Sequence, residues 1–234
     1  MAGMEVYHKK TELQPGNGRK MHMIDDRKAL AKGAVVASGE HTQYTVVEEV
    51  GRGASCIVYS AAYEDTAGHR HLVRLKECYP YHLNIGRKPD GGLEVSPAFE
   101  ESFADARKKF ERAYGKNVAL KNTLGLINST MDAVDLFACN HTWYSVISCV
   151  EGKDYRSVTD ENLQSLFVRM LALARIIKKY HDHGVLHLDI KPENIFLIPE
   201  TKEHMVLFDF DSLVEKAEHH MLLCLRNQKD IFRL

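Results

Sequence analysis

His187-Leu188-Asp189-Ile190-Lys191-Pro192-Glu193-Asn194 is the stretch on which the reading of the whole chain turns. It brings a carboxylate, an ammonium group and a carboxamide into one short loop. Asp189 suits the acceptance of a proton from an attacking hydroxyl, Lys191 the neutralisation of a moving phosphoryl group, and Asn194 the holding of a divalent metal through its side-chain oxygen. H-x-D by itself recurs in many unrelated loops. The weight therefore rests on the spacing of Asp189 and Asn194 and on what the rest of the chain places around them.

Composition narrows the field. A chain of 234 residues, 44% hydrophobic and 27% charged, is long enough for one domain of two lobes and has the balance of a soluble globular protein. A formal net charge of -1 gives no general attraction to nucleic acid or anionic lipid, so phosphate recognition has to come from a local site. The five cysteines, Cys56, Cys78, Cys139, Cys149 and Cys224, form no C-x-x-C pair and fit neither a disulfide framework nor a zinc ribbon. No apolar leader or bilayer-length segment is present, so the expected location is cytoplasmic, and the sequons at Asn128 and Asn140 are read as chance matches.

Residues 1–42 are polar and basic and read as an extension outside the core. The chain is β-rich over 44–50, passes through Gly51-Arg52-Gly53-Ala54-Ser55-Cys56, and is β-rich again over 57–61, which predicts a hairpin. Glycine in such a turn lets backbone N–H groups approach phosphate oxygens with no Cβ in the way, although most glycine turns serve only their hairpin. Alternation over 71–78 puts Val73, Leu75 and Glu77 on one face of a strand and Leu72, Arg74, Lys76 and Cys78 on the other. Residues 79–97 read as an insertion loop. Phe99, Phe103, Ala106, Phe110, Ala113 and Tyr114 recur at helical spacing, and 133–138 and 142–148 predict two further strands. Thr159 is the expected N-cap of a long helix whose apolar stripe runs from Leu163 through Leu166, Phe167, Met170, Leu171 and Ala174 to Ile177, with Gly184 as its stop. Short strands over 195–198 and 204–208 then lead to Asp209-Phe210-Asp211.

Taken in this order, the features resemble a Ser/Thr protein kinase over about residues 44–216. The loop matches H-R-D-L-x-x-x-N at Asp189 and Asn194, and the hairpin matches G-x-G-x-x-G-x-V at Gly51, Gly53 and Val58, with Cys56 where the third glycine would stand. Val73-Arg74-Leu75-Lys76 is similar to V-A-I-K, Cys149-Val150-Glu151-Gly152 to the hinge, and Asp209-Phe210-Asp211 to D-F-G. The resemblance implies an α+β, bilobal fold: an extension over 1–42, a β-rich small lobe over 43–151 and a partial helical large lobe over 152–234. It implies ATP and Mg²⁺ as cofactors. Gly51, Gly53, Val58, Lys76 and the backbone of Ser148 and Val150 would surround the nucleotide, with Ile147 behind the base. Asn194 and Asp209 would hold the metal, Asp189 would accept the proton and Lys191 would face the moving phosphoryl group. A glutamate on the helix after Phe99 should pair with Lys76, and by position Glu111 and Asn117 both stand as its partner.

Two departures accompany the resemblance. Leu188 takes the place of an arginine that in many kinases reads an activation-loop phosphate, and no A-P-E follows Asp211. The expected partners are a protein substrate and a segment or partner covering the incomplete large lobe, with no nucleic acid and no membrane. The leading expectation is transfer of the ATP γ-phosphoryl group to Ser or Thr hydroxyls. An inactive nucleotide- or partner-binding chain and a small-molecule kinase of the aminoglycoside or choline type share parts of the same pattern.

Overall fold

The computed structural model describes residues 25–39, 42–124, 133–149, 152–158, 162–198, 205–207, 209, 212 and 214–215. The expectations placed on residues 1–24, Val150, Glu151, Thr159, Phe210, Asp211 and residues 216–234 lie outside them.

Strands β1 (Val35–Ser38), β2 (Thr42–Arg52), β3 (Cys56–Glu64), β4 (Arg70–Cys78), β7 (Ala133–Cys139) and β8 (Thr142–Ser148) form one antiparallel sheet in the order β1-β2-β3-β4-β8-β7. Register shifts at Val46/Glu48 and Glu49/Gly51 mark bulges that twist β2 just before its glycine turn. The expected alternation of β4 holds through Glu77, with Val73, Leu75 and Glu77 buried, Leu72 exposed and Arg74 and Lys76 half-buried, but Cys78 is buried too. Between β7 and β8, Asn140 and His141 both have positive φ, 52° and 63°, the signature of a two-residue type I′ turn.

Glu77 is a fully buried carboxylate, 0% exposed. It accepts hydrogen bonds from Tyr59 on β3 (2.8 Å), Tyr144 on β8 (2.6 Å) and the Arg87 guanidinium (2.5 Å). Burial first, and then the charge of Glu77, push both phenols well above their usual pKa, so each stays protonated and donates. Arg87 lies on β5 (Gly86–Arg87), which pairs with β6 (Leu93–Glu94) inside the expected insertion loop. That insertion is part of the core, since Leu83, Ile85 and Leu93 pack into the main cluster.

The extension is shorter than the sequence suggests. Arg27, Leu30 and Val36 are buried, β1 is an edge strand of the sheet, and Gly33 N–H donates to the Val46 carbonyl at 2.8 Å. Residues 27–38 are rich in alanine and valine, but their buried members Arg27, Leu30 and Val36 follow no strand or helix period. Helix α1 (Glu100–Leu124) crosses the sheet with Phe103, Phe110 and Asn117 buried at seven-residue intervals, and it carries Glu100 and Glu101 in its first turn, where negative charge suits the helix dipole.

The second half holds β9 (Lys153–Asp154), α2 (Leu163–Asp182), β10 (Val185–Leu186), β11 (Ile195–Leu197), β12 (Met205–Leu207) and β13 (Val214–Glu215). Strand β11 pairs with both β9 and β12, and β10 with β13. Gly152, just before β9, allows a close approach, because a Cβ there would stand 2.6 Å from the Leu197 carbonyl oxygen. Helix α2 begins later than expected: Asn162, not Thr159, is the N-cap, its side chain accepting from Ser165 N–H at 2.8 Å. Gly184 follows the helix with φ 73°, as a stop position demands. The apolar stripe also faces differently. Leu173, Ile176 and Tyr180 are the buried side, packed with Val185, Ile195, Met205 and Leu207, whereas Leu163, Phe167, Met170 and Leu171 are exposed.

Removing the carboxylate of Glu77 leaves the Arg87 charge buried without a partner. Glu77→Ala should destabilise the chain by about 3–5 kcal/mol in urea unfolding, since breaking a buried ion pair costs on that order. An unchanged unfolding midpoint would contradict the structural role assigned to this cluster.

Candidate active site

The sheet register gathers the first group of site residues. Gly51 lies opposite Val58, Val58 opposite Lys76, and Lys76 opposite Ser145, so the four form one row across β2, β3, β4 and β8. Directly opposed residues of an antiparallel ladder project to the same face, so this row points away from the face carrying Val73, Leu75 and Glu77. Ser148 lies three rows further along, opposite Val73 at the end of β8. Ile147 is opposite Arg74, on the Lys76 side. Neither Gly51 nor Gly53 has a positive φ, and a Cβ would meet nothing within 4 Å at Gly51 and only Cys56 atoms, at 3.8–4.0 Å, at Gly53. The fold itself makes no demand for glycine at either position.

The second group comes from the loop between β10 and β11. His187 is buried, and its Nδ1 accepts the Asp189 backbone N–H at 3.3 Å, which requires an unprotonated nitrogen there. Leu188 has φ 59°, a left-handed conformation that costs an L-residue about 1 kcal/mol. This reversal sets the buried His187 beside a half-exposed Asp189. Asp189 Oδ2 accepts from Lys191 Nζ at 2.8 Å and from Asn194 Nδ2 at 2.9 Å, and the same Asn194 nitrogen donates to the Asp189 carbonyl at 2.8 Å. Because nitrogen makes both contacts, the Asn194 side-chain oxygen is turned away from Asp189. Asn194 is buried in a short 3₁₀ turn after Pro192, a residue suited to the start of such a turn.

The third element is Asp209, which follows β12 with φ 66°. Its Oδ1 lies 3.2 Å from Lys76 Nζ, a contact spanning 133 positions of sequence, and the Lys76 side chain is only 15% exposed. The hydrogen bond from Lys191 holds the Asp189 carboxyl below its ordinary pKa, against the opposing effect of burial. The same bond raises Lys191, and the charge of Asp209 adds to that rise. Asp209 is thus close enough to Lys191 to act on it. The contacts make two polar sets, Lys76 with Asp209 and Asp189 with Lys191 and Asn194, and the charge of Asp209 acts from the first on the second.

The expected helix partner of Lys76 is not found. Among the described residues Glu111 is exposed and makes no ion pair with Lys76, while Asn117 is buried with its Oδ1 unpaired. The ion pair observed for Lys76 is with Asp209. Sequence reading also missed Arg27, whose guanidinium donates to the Gly53 carbonyl at 2.8 Å. A buried arginine in a polar segment gives no periodic signal.

The Asp209 carboxylate and the Asn194 amide would offer hard oxygens, which suit Mg²⁺. No group of three His, Cys, Asp or Glu residues among the described ones stands ready to hold a metal by protein atoms alone. No described helix is long and apolar enough to cross a membrane.

No family model matches the chain. Among curated proteins it is similar to CBL-interacting protein kinase 22 of Oryza sativa subsp. japonica, with 24% identity over 178 residues covering 76% of this chain and 38% of the rice protein. It is also similar to Myosin light chain kinase 3 of Homo sapiens, 28% identical over 101 residues covering 39% and 12% of the two chains. Serine/threonine-protein kinase D of Synechocystis is 26% identical over 107 residues, covering 45% and 21%. The chain therefore spans well under half the length of these relatives. Among solved structures, "PpkA-294 apo form" matches with a TM-score of 0.55 at 20% identity, over 79% of this chain and 62% of that one. This chain is similar in sequence to Ser/Thr protein kinases, and its fold is kinase-like, with a β-rich half and a second half built around α2.

Proposed function

We propose that the chain uses ATP and Mg²⁺ to transfer a phosphoryl group to Ser or Thr hydroxyls of a protein substrate. The observation that carries this reading is a pair of polar sets, Asp209 on Lys76 at 3.2 Å and Lys191 and Asn194 on Asp189 at 2.8 and 2.9 Å, with the charge of Asp209 acting on Lys191. In such a transfer little covalent work falls to the protein, and most of the acceleration comes from alignment and charge neutralisation. Lys76 supplies a positive charge beside the row formed by Gly51 and Val58. The glycines leave open space above that row, where a nucleotide can approach the backbone. The Asp209 carboxylate and the Asn194 side-chain oxygen would hold the metal, and bound Mg²⁺ would offset phosphate charge. Asp189, kept ionised by Lys191, accepts the proton of the attacking hydroxyl, while Lys191 faces the charge that develops on the transferred group.

A second reading is a chain that binds nucleotide without transfer. It is favoured by the pairing of Lys76 with Asp209 in the absence of a helix carboxylate, and by the unpaired Asn117. Transfer from radiolabelled ATP to a generic protein substrate separates the two. Asp189→Asn should lower incorporation by about 10²- to 10⁴-fold while leaving nucleotide affinity nearly unchanged. Nucleotide binding with no transfer by the unaltered chain would decide for the second reading.

Gly51→Val tests whether glycine serves a ligand or the fold. Stability should hold or rise, because a β-branched residue suits a strand better than glycine, while ATP affinity should fall by about tenfold. A drop in stability with unchanged affinity would reverse that assignment.

Lys191→Met should raise the Asp189 pKa toward the ordinary aspartate value, read by ¹³C carboxyl NMR titration, and move the acid limb of kcat/KM to higher pH. The sign follows from linkage: a depressed carboxylate stabilises the fold above its unfolded pKa of about 3.9, and that contribution is lost as pH falls through the folded value. An unmoved titration would mean that Lys191 does not control the charge of Asp189.

A further inference from the structure

We propose that Arg27 is a positioning residue for nucleotide binding, because it clamps the glycine turn from behind and so fixes which way the turn's amide groups point. The inference rests on the kinase reading above and assigns a role to a residue outside the kinase-like motifs.

Arg27 is nearly inaccessible, with 3% of its side chain exposed, and Asp25 neutralises it through Nε at 2.9 Å and a second guanidinium nitrogen at 2.5 Å. Its remaining donors reach two backbone carbonyls, that of Gly53 at 2.8 Å and that of Tyr79. Arg52, at the end of β2, returns the contact by donating to the Arg27 carbonyl at 2.6 Å while paired with Glu49, also at 2.6 Å. Leu30 N–H donates to Tyr59 at 3.1 Å, and Arg87 Nε donates to the Lys28 carbonyl at 2.6 Å. The segment before β1 is therefore laced to the turn, to the sheet and to the insertion.

Two more carbonyls of the turn are held in the same way. Ala54 O accepts from Tyr81 N–H at 3.1 Å and Ser55 O from Tyr79 N–H at 2.9 Å. Three successive carbonyls, those of Gly53, Ala54 and Ser55, thus face the Arg27 and Tyr79 side. In a planar trans peptide the C=O and the following N–H point in opposite directions, and the described chain has no cis bond. The N–H groups of Ala54 and Ser55 are accordingly directed away from Arg27. Consecutive amides held in one orientation make a concavity for anionic oxygens without a charged side chain. Of the three anchors, only that on Gly53 comes from a side chain and can be removed by substitution.

The test uses the full chain and its Arg27→Ala, Arg27→Lys and Leu30→Ala variants. The readings are Mg·ATP dissociation constant by titration calorimetry, KM and kcat for ATP, and amide hydrogen exchange at Ala54 and Ser55. Arg27→Ala should raise the dissociation constant and KM for ATP about tenfold, leave kcat at saturating ATP within about twofold, and speed exchange at both amides. Arg27→Lys, which keeps one donor and the charge, should recover part of the loss. Leu30→Ala removes a buried contact of the same segment but no turn anchor. It should lower the melting temperature with the ATP constants unchanged.

Equal ATP affinity in the unaltered chain and Arg27→Ala would overturn the clamp while leaving the kinase reading intact. So would an equal loss of affinity in Leu30→Ala, which would reduce Arg27 to a general stabiliser. Failure of the unaltered chain to bind Mg·ATP would overturn both.

Discussion

A carboxylate sealed from water sets the geometry of the sheet half. Glu77 accepts from three donors on two neighbouring strands and the insertion, and each donor is itself shielded. A charge in that position cannot swing out without stranding Arg87, whose guanidinium also holds the carbonyls of Lys28 and Gly91. The consequence for the site comes from strand geometry alone. Neighbouring residues of a strand point to opposite faces, so fixing Glu77 inward fixes Lys76 outward. The register then sets Val58 and Gly51 beside Lys76. The buried cluster and the open face are two sides of one constraint.

Much of this was legible in the sequence where the signal is local. The loop from His187 to Asn194 could be read because its three polar groups lie within hydrogen-bond reach along the chain. The strand alternation of β4 and the glycine stop after α2 were visible for the same reason. The contacts that bind distant segments were not. Arg27 meets Tyr79 across 52 positions and Gly53 across 26, and a polar stretch with one buried arginine looks like any solvated tail. Glu77 was placed on the correct face, yet nothing in its neighbours shows that Tyr59, Tyr144 and Arg87 converge on it. The partner of Lys76 was sought on the helix. Asp209 pairs with it, while at the two expected helix positions Glu111 is exposed and Asn117 carries no charge.

The two halves also differ in how they are held. One hydrophobic cluster covers the main sheet, α1 and the insertion, and a separate one joins α2 to β10, β11 and β12. Neither cluster spans both halves among the described residues, and the Lys76 to Asp209 ion pair runs between them. The face of α2 bearing Phe167, Met170 and Leu171 explains why its stripe was read the wrong way round. Periodicity reports that a helix has an apolar side, and it is silent on whether that side or the adjoining one meets the core.

The tight connection at Asn140 and His141 bears on how the polypeptide assembles in time. Its left-handed backbone matches the natural twist of the strands it joins, and Cys139 and Thr142 pair immediately across it. Pairings of that kind close in about 1–10 μs, before loops of tens of residues have been searched. The hairpin offers an edge to β4, whereas Arg27 meets its carbonyls across 26 and 52 positions, a longer loop to close. The Arg27 segment thus precedes, along the chain, every strand to which it is tied.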